Sequence, residues 1–479
     1  MKKLNQENAP LFEALLKYRD ERVYAFHVPG HKHGSGIPEF TDYVGKAIMD
    51  IDVNSMEDLD NLANPVGVIK DSLELAADAF GGDYGYFLIN GTTSGIQAMI
   101  MASTKPNDKI IMPRNAHKSA FSGLILSGAV PVYIYPDINK DFDIALGIKA
   151  EEVKTAIENH PDSKAVLVLN PTYYGVTSEL KDIIDLAHKK DIAVLCDEAH
   201  GSHFYFHPDL PEGGIKLGAD ISSLSIHKTG GSMTQSSMLI SEGKRIDPLK
   251  IKSILNLTQS TSASYVLMAS LDIARKQLAL KGKEMLDKVI GLAEYAAQQL
   301  QQPNLRVLTK DDVSTGFDFT KLVVNVSKTG MTGYEVMKRL RKDYNIQLEM
   351  ADVSNVLAII SLGDNFEDVK YLVDSFKDLV SYEKKNTNFE VGNIIRPEVI
   401  VSPRDAFFGR SKTISIDLAD GEISAEMIMA YPPGIPMICP GERITKDIID
   451  KVRFLKKQHC QLQGTEDPNI EHIKVLGHA

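Results

Sequence analysis

The feature that most limits what this chain can become is a rhythm. From about residue 68 to residue 240, short apolar runs alternate with amphipathic segments. That alternation predicts βαβ units stacked on a largely parallel sheet. Seven runs read as strands: 86–89, 109–112, 130–135, 165–169, 192–196, 221–226 and 237–240. Several stop abruptly at polar residues, Asn90, Asn170, Asp197 and His227. Ligands of open α/β sheets gather at the carboxyl ends of strands, so these residues are site candidates rather than surface decoration.

Three of the strand ends carry complementary chemistry. Asn90-Gly91-Thr92-Thr93-Ser94-Gly95 leads into an apolar helix at 96–101. Its glycines let backbone approach an anion, its hydroxyls donate, and the helix N-terminus adds free N–H groups, a combination suited to phosphate. An ordinary capped turn would have the same residues. Asp197-Glu198-Ala199-His200-Gly201 follows the fifth run. An acid there can hold the proton of a pyridine nitrogen, or merely cap the next turn. A helicase box would need a companion GxxxxGK[ST] loop, which is absent. A metal site on Asp197, His200 and His203 has permissive but unspecific spacing, and no metal is expected. The third end is Ser225-Ile226-His227-Lys228-Thr229-Gly230-Gly231. A lysine behind an apolar strand is costly unless its charge is paired or consumed, as it is in an imine with an aldehyde cofactor. Phosphate cradle, pyridine partner and imine lysine together make the minimal equipment for pyridoxal 5'-phosphate.

Composition narrows the field further. With 53 Lys and Arg against 64 Asp and Glu the net charge is −11, which repels polyanions and argues against nucleic acid. Cys196, Cys439 and Cys460 are odd in number and far apart, which predicts no disulfide framework and a reducing, cytoplasmic location. No signal-peptide pattern or bilayer-length apolar stretch is present, so no membrane association is expected. GxSxG does not occur, which removes nucleophile-elbow chemistry. The expected division is 1–305, an N-terminal segment with a large cofactor domain; 306–385, a small α+β domain; and 386–479, a C-terminal domain. A long connecting helix after Tyr265 and a polar linker at 382–388 mark the joins.

Beyond these elements, Phe26-His27-Val28-Pro29-Gly30-His31-Lys32, Tyr431-Pro432-Pro433-Gly434-Ile435-Pro436 and Pro440-Gly441-Glu442 are long, specific motifs. On them the chain resembles the bacterial ornithine/lysine/arginine decarboxylases over nearly its whole length, and within them the short Gram-positive arginine-specific enzymes. The resemblance implies an aspartate-aminotransferase-like fold, with a mostly parallel seven-stranded sheet and smaller α+β C-terminal domains. It implies catalytic roles for Lys228, His227, Asp197 and His117, with Lys228 as the Schiff-base lysine, Asp197 on the pyridine nitrogen and His117 stacked on the ring. It implies cofactor contacts from Thr92, Thr93, Ser94, Ala199, His200, Ser225, His227, Ser260 and Thr261. Ser260 and Thr261 belong to a segment that reaches the phosphate of a neighbouring subunit, hence at least a homodimer with shared sites. Gln259 and Ser260 depart from the threonines common there, which leaves the contacting hydroxyl open. His31, Arg404 and Glu426 are candidate substrate contacts; Arg404 and Glu426 could equally form structural ion pairs. Only 1–26 precedes His27-Val28-Pro29-Gly30-His31, so the receiver-like wing domain of the large members, and any decamer built on it, is not expected.

The implied reaction is decarboxylation of a basic L-amino acid, arginine first, with lysine or ornithine as alternatives. An aminotransferase or lyase on the same fold, and a non-catalytic scaffold, are the competing readings, because cofactor residues do not choose which bond breaks.

Overall fold

The computed structural model describes residues 4–381 and 395–477, so the expected linker at 382–388 lies outside the described residues. All seven predicted runs are strands of one sheet: β1 (Tyr84–Leu88), β2 (Lys109–Pro113), β3 (Val130–Ile134), β4 (Ala165–Leu169), β5 (Ala193–Glu198), β6 (Ile221–Leu224) and β7 (Ser237–Ser241). Their order is β1-β7-β6-β5-β4-β2-β3. β5 pairs parallel to β6, and β2 pairs parallel to both β3 and β4, whereas β7 runs antiparallel to β6 and β1. The strands lack inside–outside alternation because both faces are covered: every residue of β5, β6 and β7 is buried.

Two boundaries differ from expectation. The sixth run ends at Leu224, and Ser225 stands at the N-cap position, without a side-chain capping bond, of a short helix, Ile226–Thr229, that carries His227 and Lys228. The helix after β1 begins at Gly91, not residue 96, so the predicted cradle is itself the first turn of Gly91–Ser103. Gly95 permits this: a Cβ there would sit 2.3 Å from Ser223 Oγ and 2.6 Å from Leu88 Cδ1, so only glycine lets the helix lie this close to the sheet.

The connecting helix runs Tyr265–Leu300. Beyond it, β8 (Arg306–Val307), β9 (Lys321–Asn325), β10 (Met350–Ala351) and β11 (Asn355–Ile359) form a second sheet in the order β8-β9-β11-β10. The helix Gly333–Tyr344 is started by a capping box in which Thr332 Oγ1 accepts from Glu335 N–H and the Glu335 carboxylate accepts from Thr332 N–H. Val324, Leu340, Val356 and Phe376 share its core. The C-terminal part pairs Ser411–Ser415 with His472–Leu476 and places Ile428–Ala430 between Ile435–Ile438 and Leu462–Gln463. Its own core includes Ile428, Ile438, Ile449 and Val475.

By contact density the chain forms two compact units: the described residues through Ser103 with Ala187–Leu286, and Thr104–Leu186 with the described residues from Asp287 onward. Among the described residues no helix is long and apolar enough to cross a membrane.

Candidate active site

Within the first unit, the carboxyl ends of β1, β5 and β6 and the start of the reversed strand β7 meet at one edge. Lys228 Nζ lies 3.0 Å from His200 Nε2. The His200 side chain is buried. Asp197, at the end of β5, is 6% exposed. Its one hydrogen bond among the described residues comes from Ala199 N–H to Oδ1, at 3.1 Å. Burial pushes the Asp197 carboxyl above the usual carboxylate range, opposed by that N–H and by the charge of Lys228. A buried carboxylate so thinly partnered is suited to a cation or a held proton beside it.

Thr92 Oγ1 is 2.5 Å from Ser225 Oγ and 2.9 Å from Ser237 Oγ, a cluster of hydroxyls at the N-terminus of the Gly91–Ser103 helix. Ser94 Oγ donates to Gly91 O within the same turn, while Thr93 is exposed. The antiparallel register puts Ser237 opposite Leu88, which is why it joins the cluster. Sequence reasoning missed Ser237, since its run was read as a strand without regard to direction. His227 Nδ1 is 2.8 Å from Ser236 O; a carbonyl accepts only, so this nitrogen carries the proton and Nε2 keeps its lone pair. Burial lowers the His227 pKa, the Ser236 carbonyl opposes this, and the charge of Lys228 lowers it further, so the ring favours the neutral form.

Two further residues fix the edge. Gln259 Oε1 accepts from Ile89 N–H at 2.8 Å, and its Nε2 donates to Phe87 O at 3.3 Å. Gln235 Nε2 donates to Ile89 O at 2.6 Å. The departure at Gln259 thus ties its segment to the end of β1 and leaves Ser260 and Thr261 exposed. Glu198, next to Asp197, is wholly buried and accepts from Gly214 N–H at 2.8 Å and from Tyr205 OH, a structural set of partners.

The remaining candidates have these surroundings. His117, in the second unit, caps the helix Lys118–Ser127: Nδ1 accepts from Ser119 N–H at 3.2 Å. His31 Nε2 is 3.1 Å from Asp52, and its Nδ1 accepts from Gly34 N–H. Arg404 Nη1 donates to Leu126 O at 2.8 Å. Both oxygens of Glu426 accept backbone N–H groups, from Glu466 and Lys474, each at 2.8 Å. In these bonds Arg404 and Glu426 engage backbone groups rather than the ion pairs offered as their structural alternative. The described residues hold no group of three or more His, Cys, Asp or Glu placed to bind a metal.

The Orn/Lys/Arg decarboxylase major-domain model matches residues 9–315, and the C-terminal-domain model of the same family matches residues 387–468. The chain belongs to the Orn/Lys/Arg decarboxylase family. It is 39% identical over 483 residues to an arginine decarboxylase of Bacillus subtilis, and 40% identical over 487 residues to one of Bacillus anthracis. Each comparison covers 99% of both chains. The lysine decarboxylase LdcA of Pseudomonas aeruginosa is 24% identical, over 93% of this chain and 76% of that one. A crystal structure of the Francisella novicida lysine decarboxylase LdcF superposes with a TM-score of 0.84 at 23% identity, covering 98% of this chain and 81% of that one, and shows the fold. That fold is the aspartate-aminotransferase-like fold of pyridoxal-phosphate enzymes. As a member of the Orn/Lys/Arg decarboxylase family, shown by both domain models and the Bacillus relatives, the chain is a pyridoxal-phosphate-dependent decarboxylase. The donor set fits the cofactor: an amine on Lys228, a thinly partnered buried carboxylate on Asp197, and hydroxyls with a helix N-terminus at Thr92.

Proposed function

We propose that this decarboxylase converts L-arginine to agmatine and carbon dioxide, as a step toward polyamines. The observation that carries the choice of arginine is the near-complete match, at 39–40% identity, to chains named arginine decarboxylase. Lys228 Nζ is the atom that would hold the cofactor aldehyde, Asp197 would keep the ring nitrogen protonated, and Thr92, Ser225 and Ser237 would bind the phosphate. When bound, pyridoxal phosphate supplies the sink for the electron pair left on Cα as the carboxylate departs. The chain's part is to hold the Asp197 charge in a low-dielectric setting and to return one proton to Cα. Lys228 Nζ and neutral His227 stand at the lysine end of the site as proton carriers, with His200 3.0 Å from Lys228 to receive or relay. His117 is assigned the ring face by resemblance.

We also propose a cytoplasmic homodimer in which Ser260 or Thr261 reaches the neighbouring subunit's phosphate; their exposure beside the anchored Gln259 supports this. The three-part division at 305 and 385 belongs to the same reading. Borohydride reduction of the loaded enzyme, followed by peptide mass spectrometry, tests the site: the cofactor mass is expected on Lys228. A label on another lysine, or turnover retained in Lys228→Ala, overturns the assignment.

A further inference from the structure

Arg114, directly after β2, makes an unusual set of bonds for a buried cation. Its side chain is 7% exposed and that of Glu442 is 1% exposed. Nε donates to Glu442 Oε1 at 3.0 Å and Nη2 to Oε2 at 2.8 Å, a bidentate fork. Nη1 donates to Pro436 O at 2.6 Å, and Nη2 also to Met437 O at 3.3 Å. Glu442 Oε2 in turn accepts from Cys439 N–H at 2.8 Å. The guanidinium is backed by the rings of Phe121 and Tyr133, 5.1 and 5.4 Å away. One arginine therefore fixes three points of the segment that begins at Tyr431.

That segment lies against His117. Lys118 N–H donates to Gly434 O at 3.0 Å. Gly434 has φ +83, and a Cβ there would stand 3.2 Å from both Cδ2 and Nε2 of the His117 ring. The opposite edge of the ring is held by Ser119, through its N–H and its Oγ, the latter 2.8 Å from Nδ1. A buried ion pair is a poor way to gain stability, since apolar residues of like volume often do as well. A bidentate fork does fix a register. We infer that Arg114 and Glu442 are positioning residues: the pair sets segment 431–437 against the Nε2–Cδ2 edge of His117 and so fixes the plane of that ring. The inference rests on the cofactor-facing role proposed above for His117.

The test compares the full chain with Arg114→Lys, which keeps the charge but loses the fork, and with Arg114→Met/Glu442→Met, which leaves no lone buried charge. In the cofactor-free protein, ¹⁵N- and ¹³C-histidine spectra are recorded, with the His117 signals identified by their loss in His117→Gln. Both variants are expected to shift or broaden those signals while the other histidines stay in place. In the loaded enzyme kcat should fall about 10- to 100-fold with KM changed less than about twofold. In a His117→Gln background the same substitutions should cost less than about twofold more. Unchanged His117 signals, or losses that multiply in full in the His117→Gln background, overturn the inference. If the double variant does not fold, Arg114→Lys decides by the same criteria. An inactive parent would count against the proposed function, and the spectra would still decide the positioning role.

Discussion

At the residue scale, the proposed chemistry rests on Asp197. Replacing it with Asn removes the charge but keeps the shape and the bond from Ala199 N–H. Its loss is expected to lower kcat by about 10²–10³-fold, the usual effect of deleting one preorganised electrostatic partner. Steady-state kinetics with the cofactor at saturation checks this, and an Asn variant within about threefold of the parent would contradict it. Lys228, Asp197, His200, Thr92 and Ser225 stand out as candidates in the sequence because each lies at or just after a strand end, where the chain must leave the sheet. Glu198 shows the limit of such reading: adjacent to Asp197, it faces Gly214 and Tyr205, and only packing reveals that. Ser237 was hidden for another reason, since its place opposite Leu88 depends on the reversed direction of β7. Arg404 and Glu426 were readable as charged residues, but nothing in their spacing told that backbone groups occupy them.

At the element scale, the cradle depends on how near the Gly91–Ser103 helix lies to the sheet. Gly95→Ala forces a Cβ to within 2.3 Å of Ser223 Oγ, so the helix must retreat. A loss of about 1–3 kcal/mol in urea unfolding is expected, with weaker cofactor retention on dialysis. A parent-like midpoint and retention would show that the close approach is dispensable. Gln259→Ala removes the bonds to Ile89 and Phe87 and leaves a backbone N–H in need of a partner. About 1–2 kcal/mol of destabilisation should follow, together with faster cofactor release. The strands were legible because continuous apolar runs of four to six residues suit a sheet covered on both faces. The two misplaced boundaries have different causes: Gly91 reads as a turn residue yet opens a helix, whereas Ser225 reads as part of an apolar strand yet stands at the N-cap position of a short helix.

At the scale of the whole molecule, folding is linked to the protonation of His227. Its pKa is lowered in the fold, so the unfolded chain binds more protons as the pH falls through the ordinary histidine value, about 6.5, and stability declines on that acid side. His227→Gln should flatten the decline of the urea midpoint between about pH 7.5 and 5.5 in the cofactor-free chain. Far-UV circular dichroism can follow it, because the chain contains no tryptophan. An unchanged slope would mean that other groups dominate the linkage. The fold class was legible throughout, because strand rhythm and end motifs span the chain. The most direct test of the account is kcat/KM for L-arginine, L-lysine and L-ornithine measured side by side on the loaded enzyme, with released carbon dioxide and the amine product both identified. Agmatine from arginine, favoured by at least about tenfold over the other two, is the expected result. A preference for lysine or ornithine, or a keto acid in place of carbon dioxide, would contradict it.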